Sequence, residues 1–239
     1  MVMIPAGLIT YSASQIECLA ANAIRRRPDV ECVAPPINIE KLIHNMPDID
    51  IDYRPELKAR HRCEGCVCKE PFGKMRWVVI DDTMLAGPWA DFNAVLAEEF
   101  AHIMIHPALF DFVKCPDDFV ELQLDPQWAR YEADARRYSL AIRVPDCLVV
   151  GEVEHAYASA VNEWGFGDSE IIETMVVNRM AERFRVSPED AGRRITNYPC
   201  DLRDRLRNSI QARELSLMPE NWVVRARIPR SQGSLFRKN

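Results

Sequence analysis

Val95-Leu96-Ala97-Glu98-Glu99-Phe100-Ala101-His102-Ile103-Met104-Ile105-His106-Pro107 is the stretch from which the fold of this chain is best read. Phe92, Val95, Leu96, Ile103 and Met104 recur at three- and four-residue steps, which puts them on neighbouring faces of one helix. The expected helix runs from Asp91 to His106, and Pro107 ends it. Residues four apart on a helix lie one above the other. Glu98 and His102 therefore share a face, with Glu99 beside the first of them.

Two ligands at this spacing, with a glutamate next to the first as general base, are what a zinc-peptidase helix needs. In this chain a glutamate, Glu98, stands at the first ligand position, His102 at the second and Glu99 at the base position. A third ligand has to come from elsewhere. A second long helix is expected from about Pro126 to Arg143, with Trp128, Tyr131, Ala135, Tyr138 and Ile142 as its apolar stripe. Glu132 lies among these residues, so its carboxylate is expected to face the interior, where an unpaired charge is costly. Two carboxylates meeting there raise each other's pKa, and a divalent cation relieves that. A glutamate in place of histidine brings a zinc site from about +1 to about neutral. Bound water is then less acidified, and preference shifts from zinc towards manganese or magnesium. Taken alone, a glutamate and a histidine four apart more often form a solvated pair.

Outward from these helices, the remaining elements are expected to be segregated rather than regularly alternating, which favours an α+β class. Ser14 and Glu17 fit a capping box for a helix reaching about Arg27. Asn38 caps a short helix through Leu42 and Ile43. Ile49 to Tyr53 alternates with period two, and Gly65–Lys69 and Trp77–Ile80 are the next strands, turned at Phe72-Gly73-Lys74. After Gly151 the chain reads as nearly all helix: Glu152–Trp164, Ser169–Phe184 capped by Asp168, one starting at Ser187-Pro188-Glu189-Asp190, and one from about Asp201 to Leu215. The expected division is 1–150 for the domain with the site, 151–216 for a helical subdomain and 217–239 for a basic tail.

The 239 residues carry a net charge of −6, with 48% hydrophobic and 28% charged residues. This is an ordinary globular balance without general attraction to nucleic acid or anionic membrane. The exception is the end, where Arg225, Arg227, Arg230, Arg237 and Lys238 follow Glu220 with no further acid. Direct nucleic-acid contact is expected only through that tail, if at all. No apolar run approaches the ~18 residues a membrane helix needs, and Met1–Thr10 lacks the basic start of a signal peptide. A cytoplasmic location is expected, with the eight cysteines mostly reduced.

The two helical blocks resemble the ImmA/IrrE family of metallo-endopeptidases. Val95 to Pro107 is similar to its T-L-A-H-E-L-G-H-L-L-L-H-P block. Glu132-Ala133-Asp134-Ala135 through Tyr138 to Val144-Pro145 is similar to its E-x-x-A-N-x-F-A-x-x-L-L-M-P block. Pro36–Glu40, Trp77–Asp81 and Ala181–Ser187 resemble flanking segments in the same order. The resemblance implies a zincin-like domain with a small antiparallel or mixed sheet, an active-site helix pair and a helical C-terminal region. It implies Glu98, His102 and Glu132 as metal ligands and Glu99 as catalytic base. Zinc, or another divalent metal such as manganese, would be the cofactor. The implied activity is cleavage of a regulatory, repressor-type protein of a phage or other mobile element by metal-activated water. Glu98 replaces a histidine of the pattern, Ala101 a glycine, Asp134 a glutamate, Arg136 an asparagine and Arg143 an apolar residue.

Two alternatives stand beside this. In one, the same fold is a catalytically degenerate module that binds a regulatory partner without proteolysis. In the other, His61, Cys63, Cys66 and Cys68 hold a structural zinc, although residues 66 and 68 on one strand face read more readily as buried thiols. His106 is expected to be structural or to support His102, and Tyr131 and Tyr138 to be core residues. His44 and His155 are expected at the surface or in caps.

Overall fold

The computed structural model describes residues 11–25, 34–164, 169–197 and 202–217. Contacts divide the chain into two units, Met1–Asp146 and Cys147–Asn239; the sequence reading put the boundary at 150. The basic tail, Asp168 and the first ten residues lie outside the described residues.

The first unit is α+β. Its strands β1 (Ile49–Arg54), β2 (Gly65–Lys69) and β3 (Arg76–Asp81) form a mixed sheet in the order β1-β3-β2. β1 is parallel to β3, with Ile51 opposite Val78, and β2 is antiparallel to it, with Val67 opposite Val78. The antiparallel pair is the expected hairpin, closed by Glu70 N–H donating to Met75 O at 2.9 Å. Residues in register share a face. One face therefore carries Ile51, Val78, Val67, Ile80, Tyr53 and Gly65, and the other carries Cys66, Cys68, Val79 and Trp77.

Helix α1 spans Ala13–Arg25, α2 Ile39–His44, α3 Leu57–His61, α4 Trp89–Ile105, α5 Pro116–Gln123 and α6 Trp128–Arg143. α4 lies on the Gly65 face. Leu96, Ala97, Phe100 and Ala101 are fully buried there, and Phe92 stacks on Tyr53 with ring centroids 6.4 Å apart. Each large apolar side chain buried this way contributes about 1.5–3 kcal/mol relative to exposure. Buried Asn93 ties α4 to the segment before α2, accepting from Ile39 N–H at 3.4 Å and donating to Ile37 O at 3.3 Å. α6 packs against α4 through Phe100 and Tyr138, 6.3 Å apart edge to face, and through Ser139 Oγ donating to Ala94 O at 3.4 Å.

Several boundaries differ from expectation. α1 is capped by Ser12 and Gln15, which exchange Gln15 N–H to Ser12 Oγ at 3.3 Å and Ser12 N–H to Gln15 Oε1 at 2.8 Å. The chain holds two overlapping capping boxes, and the earlier one prevails because the helix then gains further backbone bonds. α3 and α5 were not expected. α3 starts where Lys58 N–H meets Asp81 Oδ2 at 2.7 Å, and α5 where Asp118 accepts from the N–H groups of Lys114 and Cys115.

The second unit holds α7 (Asp146–Trp164), α8 (Ser169–Phe184), α9 (Pro188–Asn197) and α10 (Leu202–Leu217). α7 begins before the expected Glu152. Gly151 sits inside it where an added Cβ would meet only open space, and one interior glycine costs only about 1 kcal/mol. Ser187 caps α9 through Asp190 N–H at 3.0 Å. Glu173 of α8 gathers Arg203 and Arg207 of α10, so the arginines of that helix are partly used in ion pairs. Val176, Met180, Phe184, Ile195, Leu202 and Leu206 are buried. Among the described residues no helix is long and apolar enough to cross a membrane.

Candidate metal centre

The site lies where α4 faces α6. His102 is completely buried, and its ring stacks on Trp128 at 5.1 Å with 19° between planes. Its Nε2 lies 3.4 Å from Glu132 Oε1 and has no hydrogen-bond partner. The contact is therefore electrostatic. Its length has a second meaning. Two ligands each about 2.0–2.2 Å from one tetrahedral cation stand about 3.3–3.6 Å apart. A buried nitrogen without a partner, one such edge from a carboxylate, has the geometry of a ligand pair.

His106 stands behind His102. Their Nδ1 atoms are 3.4 Å apart, and His106 also meets Tyr131 edge to face at 4.9 Å. Burial, and then the neighbouring His102, push the His106 imidazole down to about 3, so it is neutral and able to accept a proton bond. Tyr131 and Tyr138 are core residues, 3% and 0% exposed.

Glu98 and Glu132 come together from the two helices, and Arg136 lies across them. Arg136 Nε donates to Glu98 Oε1 at 3.1 Å, and its Nη2 lies 3.3 Å from Glu132 Oε2. Burial, and then the hydrogen bond and charge of Glu132, push the Glu98 carboxyl up to about 7. Burial also works to raise Glu132, but His102, Glu98 and Arg136 outweigh it and hold that carboxyl below its usual range. Glu98 is thus the partner that keeps a proton and Glu132 the one that keeps the charge.

Glu99 sits deeper, 7% exposed, with Oε2 buried and unpaired. Burial raises its carboxyl well above the ordinary value, and the charges of Glu98 and Glu132 add to this. It rests on β2 at Gly65, where a Cβ would lie 2.8 Å from Glu99 Cγ and 2.8 Å from Val95 Cγ1. The glycine is what lets α4 lie this close to the strand.

The donor chemistry of His102, Glu132 and Glu98 suits a divalent cation, and the first two stand one ligand edge apart. The third is turned to Arg136. Among the described residues no three His, Cys, Asp or Glu side chains stand together as a group that could hold a metal ion. The thiols of Cys63, Cys66 and Cys68 are buried, with Cys66 Sγ and Cys68 Sγ 4.0 Å apart, while His61 is drawn away to Asp117 at 3.0 Å. His44 and His155 are exposed.

Sequence reading missed Arg136 as part of the site. Its spacing from Glu132 marks a helical ion pair, but the contact to Glu98 depends on how α4 and α6 meet. Gly65 was seen only as the start of a strand. No protein-family model matches the chain, and no curated protein sequence matches it.

Proposed function

We propose that this protein is a zincin-like metallo-endopeptidase of the ImmA/IrrE type, acting on a regulatory protein. Glu98, His102 and Glu132 are the metal ligands and Glu99 the base in this reading. The observation that carries it is the buried Nε2 of His102, without a hydrogen-bond partner and 3.4 Å from Glu132 Oε1.

A divalent cation held by these side chains would supply Lewis acidity for peptide hydrolysis, and the positive charge that brings the Glu99 carboxyl down towards a working base. Each residue has its own part. With a cation on Nε2, His102 would carry its proton on Nδ1 and donate it to His106, whose Nδ1 lies 3.4 Å away. Trp128 fixes the plane of the His102 ring by stacking. Glu99 takes a proton from the attacking water and passes it to the leaving amine. Gly65 keeps β2 out of the volume that the Glu99 side chain fills.

One observation favours a second reading. Arg136 already spans both carboxylates, which suits a module of the same fold that binds a regulatory partner without cleaving it. Metal analysis of protein purified without chelator, alongside Glu98→Ala and Cys66→Ser variants, separates the readings. Metal that is lost with the Glu98 change supports the peptidase site. Metal lost only with the Cys66 change moves the site to the thiols, and no metal in any form leaves the binding module. In a metal-loaded Glu99→Gln variant, cleavage should vanish while the metal stays; unchanged cleavage would refute the assigned base.

A further inference from the structure

We propose that Arg136 is a built-in competitor for the cation position: its guanidinium clamps Glu98 and Glu132 in the cation-free protein and turns out to solvent when a divalent cation takes those carboxylates. The inference rests on the metal-site reading above.

The contacts have the form this role requires. One edge of a guanidinium presents Nε and Nη2 as parallel donors. Here Nε goes to Glu98 and Nη2 to Glu132, so a single planar cation spans side chains from two helices. It leaves His102 Nε2 without a hydrogen-bond partner. The guanidinium thus satisfies two of the three donors and cannot replace a cation at the third.

Exposure shows which group can leave. The Arg136 side chain is 67% exposed, against 28% for Glu98, 18% for Glu132 and none for His102. Its stem is rooted on α6 one turn beyond Glu132, so side-chain rotation alone frees the carboxylates, with no change in either helix. Charge points the same way. A divalent ion brings twice the charge of one guanidinium to the two carboxylates, so it is the stronger partner for them. With that ion in place, the guanidinium at 3.1 Å from Glu98 would sit against like charge and be driven outward.

The test is Zn2+ affinity of the full chain, measured by competition with a chromophoric chelator, for wild type, Arg136→Ala and Arg136→Lys. Removing this largely exposed clamp should tighten Zn2+ binding up to about 5-fold in Arg136→Ala. The lysine variant should fall between, because an ammonium cannot present two parallel donors to two carboxylates. Without zinc, Arg136→Ala should melt below wild type, because the carboxylates lose their counter-charge; with saturating zinc the order should reverse. Equal Zn2+ affinity in all three proteins would overturn the role of Arg136 and leave the metal site standing. If none of them binds Zn2+, both the metal-site reading and this inference fall.

Discussion

His102 Nδ1 and His106 Nδ1 lie 3.4 Å apart inside the protein, so one ring donates and the other accepts. Since His106 is held neutral, pushed down to about 3 by burial and by His102, it is able to be the acceptor. With a cation on Nε2, His102 would carry its proton on Nδ1 and donate it to His106. His106→Phe keeps a ring against Tyr131 and removes the acceptor. Zn2+ affinity should fall about 10–100-fold, read by chelator competition, with the far-ultraviolet circular dichroism unchanged. Unaltered affinity would show that His106 only fills space.

Glu98 makes the cation-free protein less stable as pH rises. Its carboxyl is pushed up to about 7 by burial and by Glu132, so the folded state holds the proton more tightly than the unfolded chain does. The resulting penalty is absent below the unfolded value, about 4.3. It grows as pH climbs to about 7 and is complete above that. Glu98→Gln should therefore gain about 1–3 kcal/mol on wild type at pH 8 relative to pH 5, the lower end reflecting solvent screening. Urea unfolding with chelator present at the two pH values measures this. A difference between the proteins that does not change with pH would contradict the assignment. His106 acts in the opposite sense, since stability from a neutral, depressed imidazole is lost as pH falls from about 6.5 towards 3; it is common to both proteins and cancels.

Gly65→Ala would push a methyl group against Glu99 Cγ and Val95 Cγ1, both 2.8 Å away. The strand and α4 must then part, at a cost of about 1–3 kcal/mol. Thermal or urea unfolding would show it, and a variant as stable as wild type would mean that α4 does not rest on this strand.

Cysteine reactivity should follow burial. Cys18 and Cys147 are exposed, whereas Cys63, Cys66 and Cys68 are at most 7% exposed. Hydrogen bonds from Cys63 and Cys68, and then burial, also push the Cys66 thiol up, away from the reactive thiolate. Brief iodoacetamide treatment with peptide mapping should label residues 18 and 147 and spare 63, 66 and 68 until urea is added. Rapid labelling of the buried trio in native protein would contradict this packing.

The elements legible in the sequence are those whose burial repeats along the chain. β1 follows its alternation, β2 and β3 are short apolar runs on either side of the Phe72-Gly73-Lys74 turn, and α4 and α6 follow their apolar stripes. The approach of Glu132 to His102 could be anticipated because Glu132 lies within an apolar stripe and so faces the interior; the three residues Glu98, His102 and Glu132 do not stand together as one group among the described residues. What stayed hidden depends on partners distant in sequence. α3 leans on Asp81, which is far along the chain from Lys58. Arg136 reaches Glu98 only because two helices pack side by side, and Gly65 acquires its purpose only from the Glu99 side chain above it.

The central claim is that a divalent cation belongs beside His102 and Glu132. Anomalous diffraction at the zinc edge, from crystals of the full chain grown with Zn2+, tests it most directly. The expected result is one peak about 2.0–2.2 Å from His102 Nε2 and a Glu132 oxygen, with Arg136 turned away from Glu98. A peak at Cys63, Cys66 and Cys68 instead, or no peak between α4 and α6 with Arg136 still bridging the two carboxylates, would contradict it.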